Sequence, residues 1–180
     1  IVWLDGNDPA TILDAQGDDA NSGGAFSGTV ATWEDKSGSA NVHNFTTAGT
    51  EPSYNGANFS LAFDGATTGM TTSNHAEINT ALVDQRNITV AFQTSGDILS
   101  RQVLYEEGGS IRGMNVYIFN GQIYCGFYNT PAGDGDGVQP FTSVRAPIKI
   151  NTTYFVTWVF DDTNYTGPAG PDGSLDCSGN

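Results

Sequence analysis

Apolar side chains recur at every second position along much of this chain, in short runs closed by Gly, Asn, Asp or Pro. That is the pattern of half-buried strands. Phe59, Leu61 and Phe63 form one such row, ended by Asp64-Gly65, and Ile88, Val90 and Phe92 form another. Met114, Val116 and Ile118 run into Asn120-Gly121 and are answered by Ile123, Cys125 and Phe127. Asn-Gly between two alternating runs predicts a tight hairpin, because both residues tolerate the positive φ of a type I′ turn. Residues 154–160 are aromatic and β-branched throughout, which predicts a central strand covered on both faces. Shorter strands are expected at 30–33, 42–46, 102–105 and 142–145, and only 74–82 suits a helix, of a turn or two.

Many antiparallel strands with Gly-rich connections predict an all-β antiparallel β-sandwich, of the jelly-roll kind. No repeat at a fixed period points to a propeller or solenoid. After the strand at 154–160, Ser174-Leu175 looks like the start of a returning partner, and the sequence stops at Asn180. A central strand without its partner leaves unpaired backbone groups. The expectation is one domain over 1–180, incomplete at its C-terminal end, with its closing strands outside these residues.

Composition narrows the partners. Six basic residues against 20 acidic ones give a net charge of −14 in 180 residues, which argues against nucleic acid and anionic membrane surfaces. Divalent cations, neutral sugars and peptides stay open. No run approaches the roughly 18 apolar residues of a membrane span, and the first residues lack the basic flank of a signal peptide, so Ile1 reads as an internal boundary of a larger protein. Cys125 and Cys177 sit in no metal-binding pattern, and sequence leaves open whether they form one bridge or two unrelated thiols.

Three loops concentrate carboxylates among glycines, at 14–24, 131–137 and 161–173. Calcium takes six to eight oxygens from flexible loops, so such segments are its natural ligands. Asp19 and Asn21 alternate ahead of Gly23, with Asp14 and Asp18 nearby; Asp134 and Asp136 make a similar pair; Asp161, Asp162 and Asp172 make a third group. None completes the helix-flanked calcium loop, and acidity serving solubility explains each cluster as well.

No Glu-x-Asp-x-Glu run places catalytic acids side by side, and Glu106-Glu107 are adjacent, so they should point to opposite faces of a strand. His43 and His75 lie near no nucleophile motif. A non-catalytic protein is expected. Tyr105, Tyr117, Tyr124 and Tyr128 fall on runs whose opposite parity is apolar, so one sheet face is expected to present them outward. Such a face suits a glycan or peptide ligand, although surface tyrosine pairs also occur with none.

Several blocks in order carry a family resemblance: Val2-Trp3-Leu4-Asp5, Trp33-Glu34-Asp35-Lys36-Ser37-Gly38, Pro52-Ser53-Tyr54, Leu61-Ala62-Phe63-Asp64-Gly65, Ile88-Thr89-Val90-Ala91-Phe92, 103–117 and Thr153-Tyr154-Phe155-Val156. Together they resemble the laminin-G-like, concanavalin A-like jelly rolls of large bacterial surface and secreted proteins, including long adhesins of the repeats-in-toxin type. The resemblance implies two stacked antiparallel sheets, frequent calcium, an extracellular setting and a role in binding or spacing. It also implies a closing hairpin that this chain lacks. The long loop at 161–173 could be an insertion point, as in split modules. Three functions follow as expectations: a calcium-stabilised adhesion module binding glycan or peptide, a scaffold displaying an inserted domain beside its neighbours in the larger protein, or the accessory carbohydrate-binding domain of a secreted polysaccharide-degrading enzyme.

Overall fold

The computed structural model describes residues 2–79, 85–108, 112–129 and 141–161. Asp134, Asp136, Asp162, Asp172 and Cys177 lie outside the described residues. Contacts divide the chain into two compact units, Ile1–Asn74 and His75–Asn180.

The first unit is built from very short strands: β1 (Ile12–Leu13), β2 (Thr32–Trp33), β3 (Phe45–Thr47), β4 (Ser53–Asn55), β5 (Ser60–Ala62) and β6 (Met70–Thr71). They form a four-stranded sheet in the order β1-β2-β3-β6 and a separate β4-β5 ribbon. Strands of two or three residues show too little alternation to stand out in sequence, and β1, β4 and β6 have no counterpart among the expected strands. The row at Phe59, Leu61 and Phe63 is also shorter than its pattern suggests. Phe59 closes the β4–β5 turn at φ 55°, and Phe59 and Phe63 are about half exposed.

Carboxylate-centred turns hold this unit together. The Asp35 carboxylate accepts from the amides of Trp3 (2.9 Å), Ser37 (2.9 Å) and His43 (3.2 Å) and from the Ser37 hydroxyl (2.9 Å). Next to it, Lys36 pairs with Asp5 at 3.0 Å and Asp8 at 2.8 Å, and its ammonium lies 4.8 Å from the centre of the Trp3 ring. The Trp-x-Asp-Lys-Ser-Gly block and the chain start at Val2-Trp3-Leu4-Asp5 are therefore two halves of one clamp. Burial by itself would raise the Asp35 carboxyl, but the amides of Trp3, Ser37 and His43 together outweigh it, so it lies below the usual carboxylate range.

The second unit contains α1 (Ala76–Asn79) and six longer strands: β7 (Gln85–Gln93), β8 (Gln102–Gly108), β9 (Arg112–Phe119), β10 (Gln122–Asn129), β11 (Phe141–Pro147) and β12 (Thr153–Asp161). Four make an antiparallel sheet in the order β11-β10-β9-β8, and β12 pairs with β7. Asn120 (φ 51°) and Gly121 (φ 75°) form the expected two-residue turn, which sets Phe119 opposite Gln122. Period two then sorts the faces. Met114, Val116, Ile118, Ile123 and Cys125 from the larger sheet bury against Val156, Trp158 and Phe160 from the smaller one, with Ile88, Val90 and Phe92 beside them. Two sheets closing on one core make this an antiparallel β-sandwich. Trp158 and Cys125 are fully buried at its centre.

One strand departs from its pattern. Residues 154–160 were expected to be covered on both faces, yet Phe155 is 66% exposed and Val159 36%. Phe155 and Val159 lie on the parity opposite the buried Val156, Trp158 and Phe160, so they face away from the core. Aromatic and β-branched content signalled a strand, and could not signal how many layers cover it.

Candidate functional site

The outer face of the four-stranded sheet carries a cluster of aromatic and charged side chains. Ladder partners share a face, so the register reads out one row across four strands: Val103 on β8, Tyr117 on β9, Tyr124 on β10 and Arg145 on β11. A second row holds Glu106, Asn115, Gly126 and Ser143. The rings of Tyr117 and Tyr124 stack at 4.8 Å with 2° between their planes. They therefore turn their faces toward each other, and do not lie flat as a platform.

Arg101, just before β8, reaches over this stack. Its guanidinium carbon lies 5.4 Å from the centres of both the Tyr117 and Phe119 rings. Cation–π attraction to two rings restricts a side chain that would otherwise roam. Arg101, Val103, Glu106, Asn115 and Tyr117 line an open hollow of about 360 Å³. It offers guanidinium donors, a carboxylate acceptor and the carboxamide of Asn115, whose oxygen is itself buried.

A β-bulge decides which tyrosines belong to this face. Between Val103 and Tyr105 the register of β8 slips, so Val103 stands opposite Tyr117 but Tyr105 stands opposite the buried Val116. Tyr105 thus packs against the core, away from Tyr117 and Tyr124. Its hydroxyl donates to Glu107, which also pairs with Arg86 of β7. Burial first, and Glu107 second, push the Tyr105 hydroxyl well above the usual phenol range. Parity counted along the sequence misplaced Tyr105 because one extra residue inverts the count. Tyr128 sits opposite Gly113 in the ladder. Glu106 and Glu107 do diverge, Glu106 exposed on the outer face and Glu107 turned inward.

The first acidic loop closes on its own backbone. Asp14 is 3% exposed, and its carboxylate accepts from the amides of Gln16 (2.9 Å), Asp18 (3.0 Å) and Ser27 (2.9 Å). Desolvation would raise this carboxyl, and the amides of Ser27, Asp18 and Gln16 together more than reverse it. Asp19 accepts from the Asn21 amide at 2.8 Å and the Ser22 hydroxyl at 3.0 Å. Of Asp14, Asp18, Asp19 and Asn21, the buried Asp14 already holds three amides on its carboxylate as folded, two on Oδ1 and one on Oδ2. Among the described residues no three His, Cys, Asp or Glu side chains converge on one point. Asp161 ends β12 opposite Gln85. His43 is fully buried, with its amide on Asp35.

No protein-family model, curated protein or solved structure matches the chain.

Sequence reasoning found Tyr117 and Tyr124 but missed Arg101, Val103, Asn115, Phe119 and Arg145. Asn115 and Phe119 share the parity of Tyr117, so a search along β9 alone finds them. Arg145 enters only through the cross-strand register, and Arg101 only through the reach of its side chain.

Proposed function

We propose that this chain is a non-catalytic, extracellular ligand-binding module of a large bacterial surface protein, laminin-G-like in kind, which recognises glycans on the outer face of its four-stranded sheet. One observation carries the reading: a polar hollow on an exposed sheet face, with Tyr117 of the stacked tyrosine pair in its wall. Sugars need donors and acceptors in mixture, and the hollow holds Arg101, Glu106 and Asn115 within one small volume. The blocks resembling laminin-G-like modules support the family and the setting.

Calcium belongs to this reading through the loops at 131–137 and 161–173, not through Asp14. Glycan and peptide arrays probed with the wild type and with Y117A test the function. Glycan signals that fall about tenfold in the variant support it, since losing an aromatic wall and its cation–π partner is worth about 1–2 kcal/mol. A folded protein silent on every glycan would contradict it and favour the scaffold role.

A further inference from the structure

We propose that the preferred ligand is an acidic glycan, its carboxylate or sulfate group held by Arg101 and a further anionic group along the chain held by Arg145. The proposal rests on the glycan-binding reading above and adds the ligand's charge. Its basis is a local reversal of sign. The chain carries 20 acidic and six basic residues. Lys36 is matched to Asp5 and Asp8, and Arg86 to Glu107. Arg101 and Arg145 have no carboxylate within ion-pair distance among the described residues, and neither does Lys149 beyond the end of β11, although acids outnumber bases more than threefold in the chain. The two arginines stand on the same outer face, against Glu106 as the one acid in those two rows.

Geometry adds to charge. Arg101 is steadied over Tyr117 and Phe119, which leaves the guanidinium edge free to meet a planar anion with two parallel hydrogen bonds. Arg145 lies at the far end of the row, beyond Tyr124. From Tyr117, over which the Arg101 guanidinium sits, to Arg145 is two interstrand spacings, about 10 Å. That span suits an oligosaccharide bearing charge on more than one unit, where a single sugar would reach only one arginine. Glu106 accepts from hydroxyls and the Asn115 amide group donates to them, and a sugar carries several hydroxyls per unit. At physiological salt the screening length is about 8 Å, so the net negative charge of the protein repels such a chain weakly beyond that distance while arginines in contact still hold it.

Polygalacturonate, its fully methyl-esterified form, dextran sulfate, dextran and polyglutamate serve as probes, by affinity electrophoresis and calorimetry. A chelator is present throughout, so that calcium does not bridge acidic polymer to acidic protein. The expected result is retention by polygalacturonate or dextran sulfate, at least tenfold weaker binding by the esterified polymer and by dextran, and none by polyglutamate. The same loss is expected for R101Q, and a smaller one for R145Q, with both variants melting as the wild type does because the side chains are exposed. Retention by one of the two acidic polymers alone identifies carboxylate or sulfate as the group recognised. Equal binding of the esterified and free polymers, sensitive to Y117A, would overturn the charge proposal and leave the glycan reading standing. Acidic binding indifferent to both arginine variants, or matched by polyglutamate, would also overturn it. Silence of every polymer and of the glycan array would overturn both.

Discussion

Removing the Asp35 carboxylate should unfasten the clamp between the chain start and the Trp-x-Asp-Lys-Ser-Gly block. Asp35 accepts four hydrogen bonds, three from amides and one from a hydroxyl. In D35A the exposed Trp3 amide regains water at little cost, and the part-buried Ser37 hydroxyl can rotate toward another acceptor. The part-buried amides of Ser37 and His43 lose a charged acceptor, and a hydrogen bond to a charged group contributes about 1.5–3 kcal/mol. Taking the low end for both, because the site is only partly buried, gives a loss of about 3 kcal/mol. That is a large part of the roughly 5–15 kcal/mol that holds a domain folded. In a chain of 180 residues it lowers Tm by about 6–12 °C. D35N keeps one acceptor oxygen and should lose about half as much. Urea unfolding followed by tryptophan fluorescence reads the difference. If D35A fell within about 0.5 kcal/mol of wild type, as an ordinary surface substitution does, the clamp would be no more than a coincidence of contacts.

Other consequences are as direct. Asp5, held down chiefly by Lys36, and Asp14, Asp35, Asp64 and Asp97 all have carboxyls below their ordinary range in the folded chain. Each contributes stability that is present above about pH 4 and lost as pH falls below it, so Tm measured from pH 7 to 2 should be flat at first and then drop. Lys36 is raised by Asp8 and Asp5, so its contribution is complete below about pH 10.4 and fades above. W158A removes a fully buried indole from the sandwich core and should cost about 3–5 kcal/mol in urea titrations. Millimolar calcium should raise Tm over the chelated protein, by the equivalent of about 2.7 kcal/mol at a hundred times Kd, and equally in D14N; no shift would remove calcium from the account.

The long strands of the second unit were legible because one buried face gives period two, and because Asn120-Gly121 admits few alternatives to a tight turn. The first unit was much less so. Its strands are two or three residues long, and what shapes them is side-chain capture of backbone amides by Asp14, Asp35 and Asp64. Aspartates read as ion ligands and aspartates that cap turns look alike in sequence, since both favour glycine-rich surroundings. The outer face was half legible for a related reason. Parity works within a strand and fails across a bulge, and it is blind to the next strand, so Tyr117 and Tyr124 emerged while Tyr105 was misassigned and Arg145 was overlooked.

The binding face itself is open to one direct measurement. Backbone amide shifts of the labelled protein, titrated with galacturonate oligomers, should move along 101–106, 115–124 and 143–146 and stay still elsewhere. Shifts confined to the first unit or to the acidic loops, with β8 to β11 silent, would contradict the account.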